Sequence, residues 1–308
     1  MTSKTTFLLF DNRIDYGSPE HFFHFMWGYL LPAISIIQKK DRAQSYIMTS
    51  CGPLMDVLTN DIMKYLTYSV EIIKDDAIHD VEIQIITPRW DISALQPLIL
   101  DEKNVNYPDI VKMRQQLLTY PDLLDKLKAV TFINDLSIEI HQVKALVEQA
   151  ISVFPPHEDL APYDNAFLIL SRSSQPKFYS KWWGKAKIPG YGSARRALSN
   201  VKKTKKELIK KHISVEIFEP GSMSLKEQIQ TFSSCKGIVA IKGAEFASLI
   251  WFKPQSLIVL IKPKAMNTAP VQKYLANIFD LKYIEIEINQ GNFPELSSET
   301  LIPYMEEI

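Results

Sequence analysis

The chain has 308 residues, of which 46% are hydrophobic and 23% are charged, so it has room for one large or two medium globular domains with an ample core. Its 35 basic and 35 acidic residues balance, which argues against a protein that binds nucleic acid through its overall charge. No apolar run approaches the ~18 residues of a membrane-spanning helix, and no signal peptide is expected before the first predicted strand.

The first half alternates short apolar runs with longer amphipathic stretches. Strands are predicted at residues 5–10, 46–49, 70–73 and 81–87, and helices at 21–38, 53–65 and 136–152, with further helical stretches at 104–118 and 121–130. The segment Phe154-Pro155-Pro156-His157 interrupts this pattern and is the candidate domain linker.

The second half has a clearer strand–helix alternation. Strands are predicted at residues 165–170, 214–218, 237–241, 256–261 and 283–288, and helices at 194–211, 224–234, 246–252, 272–279 and 300–308, with a loop at 178–192. The pattern indicates an α/β protein with two Rossmann-like halves. The predicted domains are residues 1–155, 156–290 and a C-terminal helix in 291–308, for which packing back on the first domain is one option.

The stretch 232–261 contains a strand, a turn, an apolar helix, a proline stop and a second strand, which is a βαβ unit of a parallel sheet. The turn Lys242-Gly243-Ala244-Glu245 then lies at the carboxyl edge of the sheet, where such folds bind ligands and often phosphate. Gly243 allows close backbone approach and Lys242 supplies a charge. The alternative is a core crossover whose Glu245 caps its own helix.

Arg172 directly follows the predicted strand 165–170, so it is expected at the same edge as Gly243. A guanidinium there can bind a diphosphate through two hydrogen bonds, with serine hydroxyls such as that of Ser171 beside it. The alternative is a surface arginine at the end of a strand.

Residues 181–211 contain eleven Lys or Arg and one acid, Glu207, and follow the aromatic cluster Phe178 to Trp183. Basic residues beside aromatics suit a membrane interface or an anionic, lipid-linked acceptor. The alternative is a solvated helix face, and nucleic acid is not expected. The two cysteines, Cys51 and Cys235, adjoin apolar runs and are expected to be buried thiols, which favours the cytoplasm, with contact at the inner membrane face as an option.

His21 and His24 lie three residues apart on one side of the first helix, and either could act as a general base. The alternative is one packed and one exposed histidine. No metal site is expected, because no further ligands accompany the pair. The common nucleotide-binding, zinc-protease and nucleophile-elbow motifs do not occur in the chain.

Four elements in order resemble glycosyltransferase family 61, the inverting enzymes that include plant xylan xylosyltransferases and secretory-pathway protein O-GlcNAc transferases. They are the helix from His21-Phe22-Phe23-His24-Phe25 to Leu30-Leu31-Pro32, then Leu170-Ser171-Arg172, then Arg196-Ala197-Leu198-Ser199-Asn200, and then Ile241 to Pro254. The sequence departs from the family pattern in having Lys242 for His, Glu245 for Gly, Ser248 for Asn and Val201 for Glu. These departures leave the donor sugar open.

The resemblance implies a GT-B architecture, in which two Rossmann-like domains face each other across a cleft. It implies an inverting, metal-independent transfer from a nucleotide sugar, with UDP the expected nucleotide, to a glycan or surface-polysaccharide hydroxyl. Arg172 and Lys242, with Arg196 as a third cation, are the expected diphosphate contacts, and Ser171, Gly243 and Ala244 line the donor site. His24 is the expected base, with His21 and Glu245 behind it.

Two other functions stay open at this stage. The departures at Lys242 and Glu245 could mark a non-catalytic scaffold that binds an anionic glycan or lipid headgroup. A related transferase of another activated group, such as pyruvyl or Kdo, is the third reading. No cofactor is expected under any of them, because the donor is a substrate.

Overall fold

The computed structural model describes residues 8–10, 21–40, 44–74, 84–86, 90, 131–172, 174, 193, 196–264, 270–289 and 291–307. The chain divides into two compact units, Met1–Phe154 and Pro155–Ile308. The helical stretches predicted within 104–130 and the loop predicted at 178–192 lie outside the described residues. Both units contain parallel sheets with helical crossovers, so the predicted α/β class is confirmed.

The first unit contains a four-stranded parallel sheet. Its strands are β1 (Leu8–Phe10), β2 (Tyr46–Thr49), β3 (Val70–Ile73) and β4 (Gln84–Ile86). Their order in space is β3-β2-β1-β4, and every pair is parallel. This is the Rossmann-like order, in which the direction of winding reverses between β1 and β4.

The crossover from β1 to β2 is a helix with a wide central turn. It consists of α1 (Phe22–Phe25), a π-helical turn (Met26–Leu30) and α2 (Leu31–Gln38). Leu31 donates its backbone N–H to the carbonyl of Met26, five residues back. Pro32 lacks an N–H and its ring would strike the carbonyl four residues earlier, so the wider turn accommodates it. Helices α3 (Pro53–Tyr65) and α4 (Thr131–Ser152) complete the described part of this unit.

The second unit contains a five-stranded parallel sheet. Its strands are β5 (Phe167–Leu170), β6 (Val215–Phe218), β7 (Gly237–Ile241), β8 (Leu257–Pro263) and β9 (Lys282–Ile288). Their order is β6-β5-β7-β8-β9, so the chain changes direction between β5 and β7. Every residue of the three central strands is buried, as the apolar runs predict for a sheet covered on both faces.

The described helices of this unit are α5 (Val201–Lys210), α6 (Leu225–Ser234), α7 (Pro270–Ile278) and α8 (Ser298–Met305). Ser224 and Glu227 form the predicted capping box at the start of α6. Leu301 and Met305 of α8 pack in the core of the second unit, together with Leu208 of α5 and residues of the central strands.

Two elements of the second unit differ from their predictions. The helix predicted at 194–211 begins only at Val201, because Ala197 and Ser199 donate their backbone N–H groups to the carbonyls of Asn292 and Pro294 instead. The crossover predicted as an apolar helix at 246–252 is a 3₁₀ helix that begins two residues earlier, Ala244–Trp251. Eight residues of 3₁₀ helix span about 16 Å, which matches a five-residue strand, whereas eight α-helical residues span only about 12 Å. The 3₁₀ form thus covers the length of β7 within eight residues.

Within the described part of the chain, no helix has both the length and the apolar character needed to span a bilayer.

Candidate functional site

The candidate site lies where the winding of the second sheet reverses. Strand β5 ends at Leu170 and is followed by Ser171 and Arg172, and the neighbouring strand β7 ends at Ile241 and is followed by Lys242 and Gly243. The backbone N–H of Ser171 donates to the Phe218 carbonyl at 2.9 Å, and that of Lys242 donates to the Ile261 carbonyl at 2.9 Å. Both segments therefore continue the sheet by one residue before they leave it. Open α/β sheets bind their ligands at this kind of reversal.

Arg172 ties three segments together at this edge. Its Nη2 donates to Oε2 of Glu245 at 2.6 Å, and its Nη1 donates to the backbone carbonyl of Arg196 at 3.2 Å. The side chains of Arg172 and Glu245 are only 9% and 16% exposed. The ion pair is thus largely removed from water, where loss of one partner is much more costly than at a surface.

Gly243 is required by this ion pair. A Cβ atom on Gly243 would lie 1.6 Å from Nη2 of Arg172 and 2.4 Å from Oε2 of Glu245. The backbone of Gly243 is fully extended, which any residue can adopt, so the need for glycine is one of space. The sequence predicts that this glycine allows close approach to a ligand; in the structure the side chain of Arg172 fills that space.

Glu245 has a different role from the helix cap considered above. It lies in the first turn of the 3₁₀ helix, yet its carboxylate accepts the hydrogen bond from Arg172. Arg172 and Glu245 together carry no net charge. Nε of Arg172 is buried and has no hydrogen-bond partner among the described residues, so one donor of the guanidinium is unsatisfied.

Lys242 is the second cation of the edge, and it is half-buried. Burial lowers its pKa, Glu285 opposes this shift, and the nearby charges of Arg196 and Lys262 lower the pKa further. Lys262, by contrast, pairs with Glu285 at 3.3 Å and Glu287 at 2.9 Å. Because burial and two neighbouring cations oppose the charged form of Lys242, an anion at this position would be stabilising.

The segment from Arg196 to Asn200 supplies a residue whose role the sequence does not reveal. The Asn200 side chain donates to the Leu296 carbonyl at 3.0 Å and accepts from the Leu296 N–H at 2.8 Å. Thr204 Oγ1 lies 2.8 Å from the same carbonyl. Asn200 thus anchors the segment that leads to α8. Its partner lies 96 residues away, so no local spacing could indicate the contact.

His21 and His24 belong to the first unit, at the start of the helix that follows β1. Their ring centroids are 6.3 Å apart, and both side chains are half-buried. The Tyr29 hydroxyl, further along the same helix, lies 2.8 Å from the Phe10 carbonyl at the end of β1. A helix that follows a parallel strand starts at the carboxyl edge, so the two histidines lie at the carboxyl edge of the first sheet.

In the described ranges, no group of three or more His, Cys, Asp or Glu side chains is arranged to hold a metal ion.

The predicted site residues fall into two groups. Ser171, Arg172, Arg196 and the turn from Lys242 to Glu245 gather at the edge of the second sheet, and the two histidines lie in the first unit.

The fold is that of a parallel α/β protein, and its candidate site is a group of cationic residues at a sheet reversal. Residues 22–259 match the family model of glycosyltransferase 61, so the chain belongs to that family and is a glycosyltransferase. None of the curated proteins matches the chain. Among solved structures, the metal-soaked flavodiiron core of Flv1 from Synechocystis matches at 11% identity, over 88% of this chain and 81% of that one. Its TM-score is 0.28, so this likeness carries no argument.

Proposed function

We propose that this glycosyltransferase moves a hexosyl or pentosyl group from a nucleotide sugar to a hydroxyl of a glycan or surface polysaccharide, with inversion and without a metal ion. The observation that carries the proposal is the convergence of Arg172 and Lys242 at the reversal of the second sheet in a member of this family. The donor diphosphate would bind at that edge. The proposed arrangement is GT-B, with the donor on the second unit and the acceptor on the first.

In the proposed reaction the acceptor oxygen attacks the anomeric carbon, and the bond from that carbon to the diphosphate oxygen breaks. The acceptor proton passes to a base on the enzyme, and the diphosphate leaves with the electron pair. Lys242 and Arg172 stabilise the negative charge that develops on the leaving group. Arg196 adds a third cation, while Ser171, Gly243 and Ala244 lie against the donor.

His24 is the proposed base, and His21 is the second candidate. Glu245 is the third candidate base, but its hydrogen bond to Arg172 favours a different role. A carboxylate already engaged by a guanidinium is better suited to orient that guanidinium than to accept a proton from a sugar hydroxyl. Glu245 is therefore assigned to the position of Arg172, at the donor side of the site.

The proposed donor nucleotide is UDP, and the proposed compartment is the cytoplasm. Cys51 and Cys235 are both buried thiols, which supports a reducing compartment. Burial raises the pKa of Cys235 to about 12, so this thiol stays protonated and unreactive at physiological pH.

The second candidate function is a non-catalytic binder of an anionic glycan or lipid headgroup. The favouring observation is that Glu245, at a family glycine, forms an ion pair with Arg172. A donor diphosphate would have to compete with this carboxylate. Nucleotide-sugar turnover separates the two functions directly, because the binder has none. A transferase of pyruvyl or Kdo would be separated by the identity of the donor.

The test is a thermal-shift screen of the full chain with UDP, GDP, CMP and several nucleotide sugars, each with and without EDTA. A ligand that binds only the folded protein raises its melting temperature at concentrations well above the dissociation constant. We expect UDP and one UDP-sugar to raise it equally with and without EDTA. A shift that EDTA abolishes would contradict the metal-independent site. No shift with any nucleotide, together with a shift from an anionic glycan, would favour the binder.

A further inference from the structure

Helix α5 (Val201–Lys210) has a lysine-covered outer face. Its inner side is formed by Thr204 and Leu208, which are buried, and Leu208 packs in the core with Val215 of the edge strand β6. The exposed lysines of the helix are Lys202, Lys203, Lys206 and Lys210, and Lys211 follows them at its end. Together these five residues form the lysine face. Lys202, Lys206 and Lys210 recur every four residues and so lie in one row.

The positive charges of the lysine face destabilise helix α5. The first turn contains Lys202 and Lys203 and no acidic residue. Positive side chains in the first turn oppose the helix dipole, and like charges four residues apart repel each other. An anion that lies against the lysine face offsets both unfavourable interactions.

The nearby carboxylates do not neutralise the lysine face. Glu216 on β6 pairs with Lys205, at the border of the face. Glu207 accepts a hydrogen bond from the Ser298 hydroxyl at 2.8 Å, on the side of α8. Among the salt bridges of the described residues, none includes Lys202, Lys203, Lys206 or Lys210.

We propose that the lysine face binds the surface of an anionic lipid bilayer. Lys202, Lys203, Lys206 and Lys210 lie within about 100° of one another around a helix about 15 Å long, so a planar surface can reach these four lysines together. All cations of the lysine face are lysines, which act as point charges and suit a diffuse field of headgroups better than the paired hydrogen bonds of arginine. Ile209 is 49% exposed beside Lys206, so an apolar side chain is available to enter the headgroup region.

Contact of the lysine face with a bilayer would also bring the candidate site close to the membrane surface. Helix α5 begins directly after the segment from Arg196 to Asn200, and the Arg196 carbonyl accepts a hydrogen bond from Arg172. The start of the lysine face is therefore at the carboxyl edge of the second sheet. If the proposed function holds, a membrane-bound acceptor would meet the enzyme at that edge; the bilayer contact itself does not rest on the proposed function.

The experiment measures cosedimentation of the full chain with vesicles. One set contains phosphatidylcholine and phosphatidylglycerol at roughly three to one, and the other contains phosphatidylcholine only. The test variant is the triple K202Q/K206Q/K210Q. The control is the triple K253Q/K273Q/K282Q, which removes the same charge from exposed lysines on other elements. Lys282 lies on β9, at the opposite edge of the sheet from α5.

We expect binding to the anionic vesicles only, and loss of binding at about 0.5 M salt, where charges are screened beyond about 4 Å. Each lysine near an anionic surface contributes about fivefold, so the test triple should bind roughly 100-fold more weakly. The control triple should bind within a few-fold of the unmodified chain.

Equal losses in the two triples would overturn the proposal, because net charge alone would then explain the binding. Binding to soluble hyaluronan through these lysines, with none to anionic vesicles, would overturn it in favour of a polyanionic glycan. The nucleotide thermal shift is measured on both triples as well. An absent shift in every protein would count against the proposed function and leave the vesicle result unaffected.

Discussion

Arg172 and Glu245 are joined at 2.6 Å across the end of the sheet, although 73 residues separate them in the sequence. One follows β5 and the other opens the crossover after β7, so the contact spans the point at which the winding reverses. The carboxylate of Glu245 thus already binds the Arg172 guanidinium, which is proposed to bind the donor diphosphate. The first two predictions test what this contact does for the fold and for the ligand.

Glu245→Ala should lower the free energy of unfolding by about 3 kcal/mol, because a buried guanidinium loses its charged partner. Arg172→Met should have a similar effect. The double variant Arg172→Met/Glu245→Met should be closer to the unmodified chain than either single change, since no buried charge is left unmatched. Urea unfolding measures all of them. Single and double changes that simply add would show that the two side chains do not act as a pair.

Gly243→Ala should disturb the same contact from the backbone side. The new Cβ would lie 1.6 Å from the Arg172 guanidinium, which has to move away from Glu245. We expect a loss of about 1–3 kcal/mol in stability, as for other overpacked positions, and a smaller thermal shift with UDP. Gly291→Ala is the matched control, because nothing lies within 4 Å of a Cβ there. Equal behaviour of the two variants would contradict the steric role of Gly243.

Local patterns were sufficient to predict much of the second unit. The apolar β-branched runs predicted β7 and β8, and the spacing of Ser224 and Glu227 predicted the capping box. Arg172 and Gly243 were placed at the same edge because each follows a buried strand. These features depend on neighbouring residues or on the general rule for parallel sheets, so they can be inferred from one sequence.

The remaining features depend on contacts between distant segments. The pairing of Arg172 with Glu245 and the anchoring of Leu296 by Asn200 join segments 73 and 96 residues apart. The 3₁₀ crossover has an apolar composition that equally suits an α-helix, and its stretched form matches the length of the adjacent strand. No local periodicity carries this information.

Lys242 should give UDP binding a pH dependence. Burial and the charges of Arg196 and Lys262 lower its pKa, so Lys242 loses its proton at a lower pH than an ordinary lysine. Only the protonated amine attracts a diphosphate, and the affinity for UDP should therefore fall as the pH rises through this lowered pKa. The stability of the ligand-free protein should change in the opposite sense in the same window, because the unfolded chain binds more protons there.

Titration calorimetry with UDP between about pH 7 and pH 10 tests this, with Lys242→Arg as the test variant and Lys253→Arg as the control. Arginine stays charged over the whole range, so Lys242→Arg should remove the alkaline loss of affinity. The exposed Lys253 should not affect it. An unchanged pH profile in Lys242→Arg would remove Lys242 from the binding of the diphosphate.

Asn200→Ala should destabilise the second unit without disturbing the ion pair between Arg172 and Glu245. The change leaves the N–H and carbonyl of Leu296 without the side chain that bonds to both. The N–H then has no partner, while the carbonyl keeps the Thr204 hydroxyl at 2.8 Å, so the change should cost about 1–2 kcal/mol. Asn277→Ala, at an exposed position on α7, is the control and should cost less than about 0.5 kcal/mol. A loss below 1 kcal/mol in Asn200→Ala would mean that water replaces the side chain.

The choice between His24 and His21 as base rests on the reaction, because both histidines lie at the start of the same helix. Each is changed to glutamine, which keeps a hydrogen-bonding side chain but cannot accept the proton. If His24 is the base, His24→Gln should lower kcat by about 10²–10⁴-fold, while the thermal shift with UDP stays unchanged. His21→Gln should keep most of the activity.

The opposite order of effects would assign the base to His21. The pH profile adds a second criterion, since loss of a base near neutral pH should remove the acidic limb of kcat. If both variants keep their activity and their acidic limb, neither histidine is the base. Glu245 would then be the remaining candidate, although its bond to Arg172 favours a positioning role.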